Sequence, residues 1–336
     1  MRRCFLYLAA LSLAVVMLMG CSDDAPKLAQ RIDVERLITT TNYQCREIGT
    51  RTAGSPEARV TARVICEELE AFGFSKAEGT LECVPFIEEH GLLSENIIAT
   101  VNPGAHDKIL CVAAHYDCAA GTMGARDNAA SVAGALEVAR ILTPVCKQIG
   151  AEVRILFFGA GENGCNGSRV YCEQLTKAEI MRHRAVFNLD VSAASHDSGA
   201  VLTCMTLGGL NHKGQYVAGT AANPADNLAS RAVLDAYCAL TDTKRSEYGK
   251  AFLSPFHEGM SDHASFDALG VDAVTIGWRI PKGGAAGLPK EVHRITDIPD
   301  TIDYKTIATS VQCILSAMEA IGRGTYDVQP NVRTAY

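Results

Sequence analysis

Along this chain, short unbroken apolar runs alternate with stretches in which apolar residues recur every third or fourth position. Ile109–Ala114, Val153–Phe158, Ala185–Leu189 and Val271–Ile276 read as buried strands, and Glu82–Ile87 and Asn96–Val101 as further strand-like stretches. Helical periodicity starts at Asp33 with Val34, Leu37 and Ile38. It returns from Glu57 to Phe72, closed by Gly73, after a turn at Arg51-Thr-Ala-Gly54-Ser55-Pro56. Ala129, Val132, Ala133, Leu136 and Ala139 mark a third helix at about 128–142, with Asp127 and Asn128 at its N-cap position. Another helix opens near Gly167-Ser168, and Thr301–Ile321 reads as a final amphipathic one. Strands alternating with helices predict a three-layer α/β/α domain around a mostly parallel, mixed sheet. That domain is expected over 32–325, with 326–336 as a tail.

The N-terminus does not belong to this pattern. Arg2 and Arg3 precede an apolar run from Phe5 to Met19, the arrangement of a secretory signal over residues 1–20. Leu18-Met-Gly-Cys21 followed by Ser-Asp-Asp resembles the lipobox of bacterial lipoproteins, which implies lipidation of Cys21, a tether over 22–31 and anchorage in a bacterial cell envelope, facing periplasm or exterior. Apolar residues make up 48% of the chain, enough for a packed core, and the formal charge of −7 argues against a nucleic-acid partner. Of thirteen cysteines, Cys4 and Cys21 lie in the export segment; the rest are odd in number and contain no Cys-x-x-Cys, which leaves a thiolate zinc cluster unsupported.

The chemistry gathers where the strands stop. The run 109–114 ends on His115-Tyr-Asp117, with Asp127 just beyond; 153–158 leads to Glu162; 185–189 ends at Asp190. Parallel strands of one sheet bring such ends together, at the edge where open α/β sheets place their sites. His293 could complete the group. Two imidazoles and three carboxylates suit a pair of zinc ions, which one bridging carboxylate would hold ~3.5–4 Å apart.

These residues carry a resemblance to a known family. Arg51-x-x-Gly54-Ser55, Asn96-Ile-Ile-Ala99, His115-x-Asp117, Gly124-Ala-x-Asp127-Asn128, Glu162-x-Gly164-x-x-Gly167-Ser168, Asn188-Leu-Asp190, Ser261-Asp-His263-x-x-Phe266 and His293-x-x-x-Asp297 resemble the two-zinc exopeptidases of the bacterial aminopeptidase S and aminopeptidase Y type, of which glutamate carboxypeptidase II and the glutaminyl cyclases are more distant relatives. The intervals of 12, 35 and 28 from His115 to Asp127, Glu162 and Asp190 fit without gaps. The resemblance implies that His115 and Asp190 hold one Zn2+, Glu162 and His293 the other, and Asp127 both. Asp117 and Asp297 would support the ligands from behind. Asp262 and His263 either line the substrate cleft or cap the helix they precede, and His212, His257 and Arg279 are assigned no role.

Two positions depart from the family. Its general base is a glutamate immediately before the ligand Glu162, and here that residue is Gly161. A tyrosine that donates to the oxyanion often precedes the last histidine, and here it is Val292. Losing a general base costs ~10²–10⁴ in rate, and losing an oxyanion donor ~10²–10³. The sequence therefore supports three readings: a lipid-anchored two-zinc aminopeptidase of peptides, weakened or inactive; a metal-containing peptide- or partner-binding protein without turnover; and, ranked last, a glutaminyl-cyclase-like acyltransferase.

Overall fold

Ile109–His115, here β3, is buried at every residue and lies at the centre of a seven-stranded sheet. The computed structural model describes residues 28–105, 107–206, 208–210, 216–218, 227–244, 261–280, 287–324 and 326. β3 runs parallel to β4 (Glu152–Phe158) on one side and to β5 (His183–Leu189) on the other, and β10 (Ala273–Arg279) extends the parallel set beyond β5. A hairpin of β1 (Leu81–Ile87) and β2 (Leu93–Val101) joins antiparallel at β4, and β7 (Val201–Met205) closes the other edge antiparallel to β10. Two small ribbons pair β6 (Ala194–Ser195) with β11 (Ile302–Asp303), and β8 (Gly208–Leu210) with β9 (Tyr216–Ala218).

Residues of β3 alternate between two apolar layers, as strand geometry requires. Leu110, Val112 and Ala114 face the larger core, made with α1 (Val34–Asn42), α2 (Pro56–Ala71), α3 (Ala130–Leu142), α6 (Leu228–Thr241) and α8 (Tyr304–Gly322). Ile109, Cys111 and Ala113 face a smaller one with Phe158, Tyr171 and Phe266, to which α4 (Asn166–Gln174) and α7 (His263–Asp267) contribute; α5 (Lys177–Arg182) leads into β5. Helix starts follow local chemistry. Asp33, Ser55, Asn227 and Asp303 each accept a first-turn amide, which satisfies donors that the helix itself cannot.

The structure moves four sequence expectations. Leu28–Arg31, expected in a tether, is a 3-10 turn whose Leu28 is buried in the larger core. Tyr326, expected in the tail, donates its hydroxyl to Asp235 Oδ2 at 2.8 Å. Asp127 and Asn128 are not the N-cap of α3: their backbone is non-helical, α3 begins at Ala130, and Asn128 Nδ2 instead donates to the carbonyls of His115 and Leu189. β10 runs three residues further than its apolar run, because Trp278 is held by Ser310 of α8 and Arg279 is itself buried. The lipobox, His212 and His257 lie outside the described residues.

Candidate metal centre

Consecutive strand ends present the chemistry in spatial order: β4 leads to Glu162, β3 to His115, β5 to Asp190. Each turn beyond a strand is pinned from several directions. Asn96 on β2 donates to Gly167 O at 2.8 Å and accepts from Gly159 N at 3.3 Å, tying the end of β4 to the start of α4. A side chain at Gly167 would strike the Gly159 carbonyl, so the glycine lets the two backbones touch. The loop between β3 and α3 is held by two buried arginines. Arg51 donates to the carbonyls of Gln44, Gly49, Tyr116, Met123 and Gly124. Arg126 donates to Ala193 O and Ser195 Oγ and pairs with Asp297 at 3.4 Å.

These supports bring all five expected ligand residues together. His115 Nε2 lies 3.4 Å from Asp127 Oδ1 and 3.9 Å from Asp190 Oδ1. His293 Nε2 lies 3.1 Å from Asp127 Oδ2 and 3.2 Å from Glu162 Oε2. The result is two groups of three, His115/Asp127/Asp190 and Asp127/Glu162/His293, with donor atoms in each within 4.8 Å of one another and Asp127 common to both. Glu162 Oε1 is buried without a hydrogen-bond partner among the described residues. Converging nitrogen and carboxylate donors with an unsatisfied buried oxygen fit divalent cations, and the mixture suits zinc.

The charges agree. Burial opposes protonation of His115, but Asp117, Asp127 and Asp190 outweigh it and hold the imidazole well above its usual range. Asp127 and Glu162 raise His293 to about 10. Burial also raises Asp127, yet the two imidazoles prevail and keep its carboxyl low. Burial is the main reason that Glu162 is raised. Positive charge is thus favoured at the two places where the donors converge.

Asp117 and Asp297 lie behind the converging donors. Asp117 Oδ1 and Oδ2 accept from the amides of Gly161 and Glu162 at 2.8 and 3.1 Å, and its own carbonyl lies 3.1 Å from His115 Nδ1. One residue therefore sets both the ring and the Glu162 turn. Asp297 accepts from the amides of Arg126 and Asp127 at 2.9 and 3.1 Å. Ser261 Oγ donates to Asp190 Oδ2 at 2.6 Å and accepts from Asn188 Nδ2, which fixes the third carboxylate.

Asp262 makes no side-chain cap on α7; it is buried, both oxygens lack a hydrogen-bond partner among the described residues, and burial raises it to about 6. His263 is buried behind the rim with Nδ1 2.6 Å from Thr275 Oγ1. Gly161 has no room for a side chain, since a Cβ there would lie 2.4 Å from both Cβ and Cγ of His115. Arg279, to which the sequence assigned no role, is only 6% exposed. Its charge had concealed the end of the strand that carries it. Nothing in the local sequence marked Arg126 either, because its partners Asp297, Ala193 and Ser195 are remote along the chain.

A sequence profile of peptidase family M28 matches residues 96–318, the stretch that holds all five converging residues. The chain belongs to peptidase family M28. Within that family's relatives it is 30% identical over 207 residues to aminopeptidase YwaD of Bacillus subtilis, covering 61% of this chain and 39% of YwaD. The chain thus spans less than half the length of the curated relatives that it matches first. Among solved structures, the zinc aminopeptidase BSAP of Bacillus subtilis superposes with a TM-score of 0.65 at 18% identity, over 85% of this chain and 94% of that one. The glutaminyl cyclase of Porphyromonas gingivalis does so with a TM-score of 0.65 at 21% identity, over 86% and 98%. The fold is therefore that of the M28 family.

Proposed function

We propose that this M28 chain is a zinc metallo-aminopeptidase that removes the N-terminal residue of short peptides outside the cytoplasm. The observation that carries the reading is the sharing of Asp127 between two convergent donor groups. His115, Asp127 and Asp190 would hold one zinc, and Asp127, Glu162 and His293 a second. Bound zinc would supply a water of pKa ~7 and polarise the scissile carbonyl. Asp117 fixes the tautomer and direction of His115, and Asp297 and Ser261 orient Asp127 and Asp190. With glycine at 161, the group that would take the proton in place of a glutamate is, in this reading, Asp262, a buried carboxyl whose oxygens have no hydrogen-bond partner among the described residues and which burial raises to about 6. The lipobox-like Leu18-Met-Gly-Cys21 supports a lipid anchor in the cell envelope. No helix among the described residues is long and apolar enough to cross a membrane.

A second reading, a peptide-binding protein that retains its metals without turnover, is favoured by Gly161 and Val292 together, since both remove a catalytic group and spare the ligands. Metal analysis and assay separate the two. The aminopeptidase reading expects two zinc ions per chain, loss of at least one in Asp127→Asn, and release of p-nitroaniline from aminoacyl-p-nitroanilides. Zinc-loaded protein that binds peptides without cleaving them establishes the second reading. Protein that takes up no zinc from excess metal sinks both.

A further inference from the structure

Arg279 ends β10, one strand beyond Asp190 in the order Glu162, His115, Asp190, Arg279 along the rim. Among the described residues it is a buried cation without the partners that such a group normally requires. Among them the guanidinium donates only to the adjacent Trp278 carbonyl, at 3.5 Å, and its Nε has no partner. No carboxylate among the described residues lies within 4.0 Å of it. Burial disfavours its charge, and the carboxylates that act against this are Asp190 and Asp127.

Gly277 makes this placement feasible. A Cβ at 277 would lie 2.7 Å from the Asp190 carbonyl oxygen and 3.0 Å from Arg279 Nη1, so the guanidinium folds back over the glycine towards the rim at Asp190. If cations occupy Asp190 and Asp127, those two carboxylates no longer balance the arginine. Its planar N–H donors, close to the Asp190 backbone, would then carry uncompensated charge, which is the recognition chemistry of a carboxylate.

We infer that Arg279 binds the free α-carboxylate of a short peptide one residue beyond the scissile bond, making dipeptides the preferred substrates. This rests on the aminopeptidase reading for the cleaved bond but not for the binding. Strand ends step by ~4.8 Å and a peptide by ~3.8 Å per residue, so in this proposal a carboxylate one residue past a carbonyl held at Asp190 comes within reach of an arginine on the next strand. Arg279 does not take part in bond cleavage; it selects what is cleaved.

The test compares an acid with its amide. Reduced-bond (CH2–NH) analogues of Leu-Gly and Leu-Gly-amide, which no peptidase can hydrolyse, are titrated calorimetrically into the zinc-treated full chain. The wild type should bind the acid about 10- to 100-fold more tightly than the amide, the range of a charged hydrogen-bonded pair. Arg279→Met should weaken the acid to the level of the amide and leave the amide unchanged, and Arg279→Lys should retain part of the preference. Zinc content should be equal in all three proteins. Turnover of Leu-Gly itself should then show the loss in KM and not in kcat. Equal binding of acid and amide by the wild type overturns the inference, and that comparison needs no variant to fold. Equal weakening of both by Arg279→Met also overturns it, because the arginine would then shape the site or meet the carbonyl. An acid preference without any turnover keeps this inference and removes the aminopeptidase reading.

Discussion

Gly161 lies against the ring of His115 so closely that even a methyl group must displace it. Gly161→Ala is therefore expected to lower zinc uptake, from two towards one, through the His115 side. Gly161→Glu should not create a working general base, and metal analysis beside an aminoacyl-p-nitroanilide assay checks both. Asp262 gives a prediction of opposite sign for stability. Its carboxyl has an ordinary value of 3.8 and is raised to about 6 by burial, so the folded chain binds the proton more tightly than the unfolded one. Its contribution is intact below about pH 4 and is lost as pH rises through 6. In chelator-treated protein, Asp262→Asn should raise stability at pH 8 by on the order of 3 kcal/mol, with the gain vanishing below pH 4 in urea titrations. The same variant should lose peptidase activity if Asp262 moves the proton. At this scale the ligand types and their spacing were legible in the sequence. The orphaned carboxyl and the crowded glycine were not, because both depend on distances between residues far apart along the chain.

Among the elements, α2 and β1 come into unusually close register through sulfur. Cys66 and Cys83 place their Sγ atoms 3.1 Å apart, with the charge of Lys76 acting on both. Burial and the neighbouring Cys83 sulfur raise the Cys66 thiol, and Cys83 is the less buried of the two, so Cys83 is the sulfur that an oxidant reaches first. Oxidised glutathione should convert this pair of thiols to a disulfide, with release of two reduced glutathiones and a 2 Da loss by mass spectrometry. A cross-link over 17 residues should add about 3 kcal/mol, read as a higher urea midpoint that falls in Cys66→Ser. The cysteine spacing alone could not reveal this pairing. The strands and long helices, in contrast, were largely legible, since apolar periodicity is a local property. β10 ended late because a buried arginine and a tryptophan with a hydrogen-bonded ring look like loop chemistry when taken one at a time.

For the molecule as a whole, metal and proton compete for one place. His115 and His293 are held protonated by the carboxylates around them, His293 up to about 10. Zinc requires neutral imidazoles, so uptake at pH 7 should release about two protons per chain, and apparent affinity should climb with pH until about 10. Calorimetry in buffers of differing ionisation enthalpy counts those protons. A release near zero would show that the ligands are not the ones proposed.

The packing over residue 161 also limits how this chain can be re-engineered. The ring of His115 fills the space that a side chain at 161 would need, so a glutamate introduced there alone would dislodge a ligand-type residue before it could help. A working acid at that position requires at least two coordinated changes. New groups around the cleft are the shorter route.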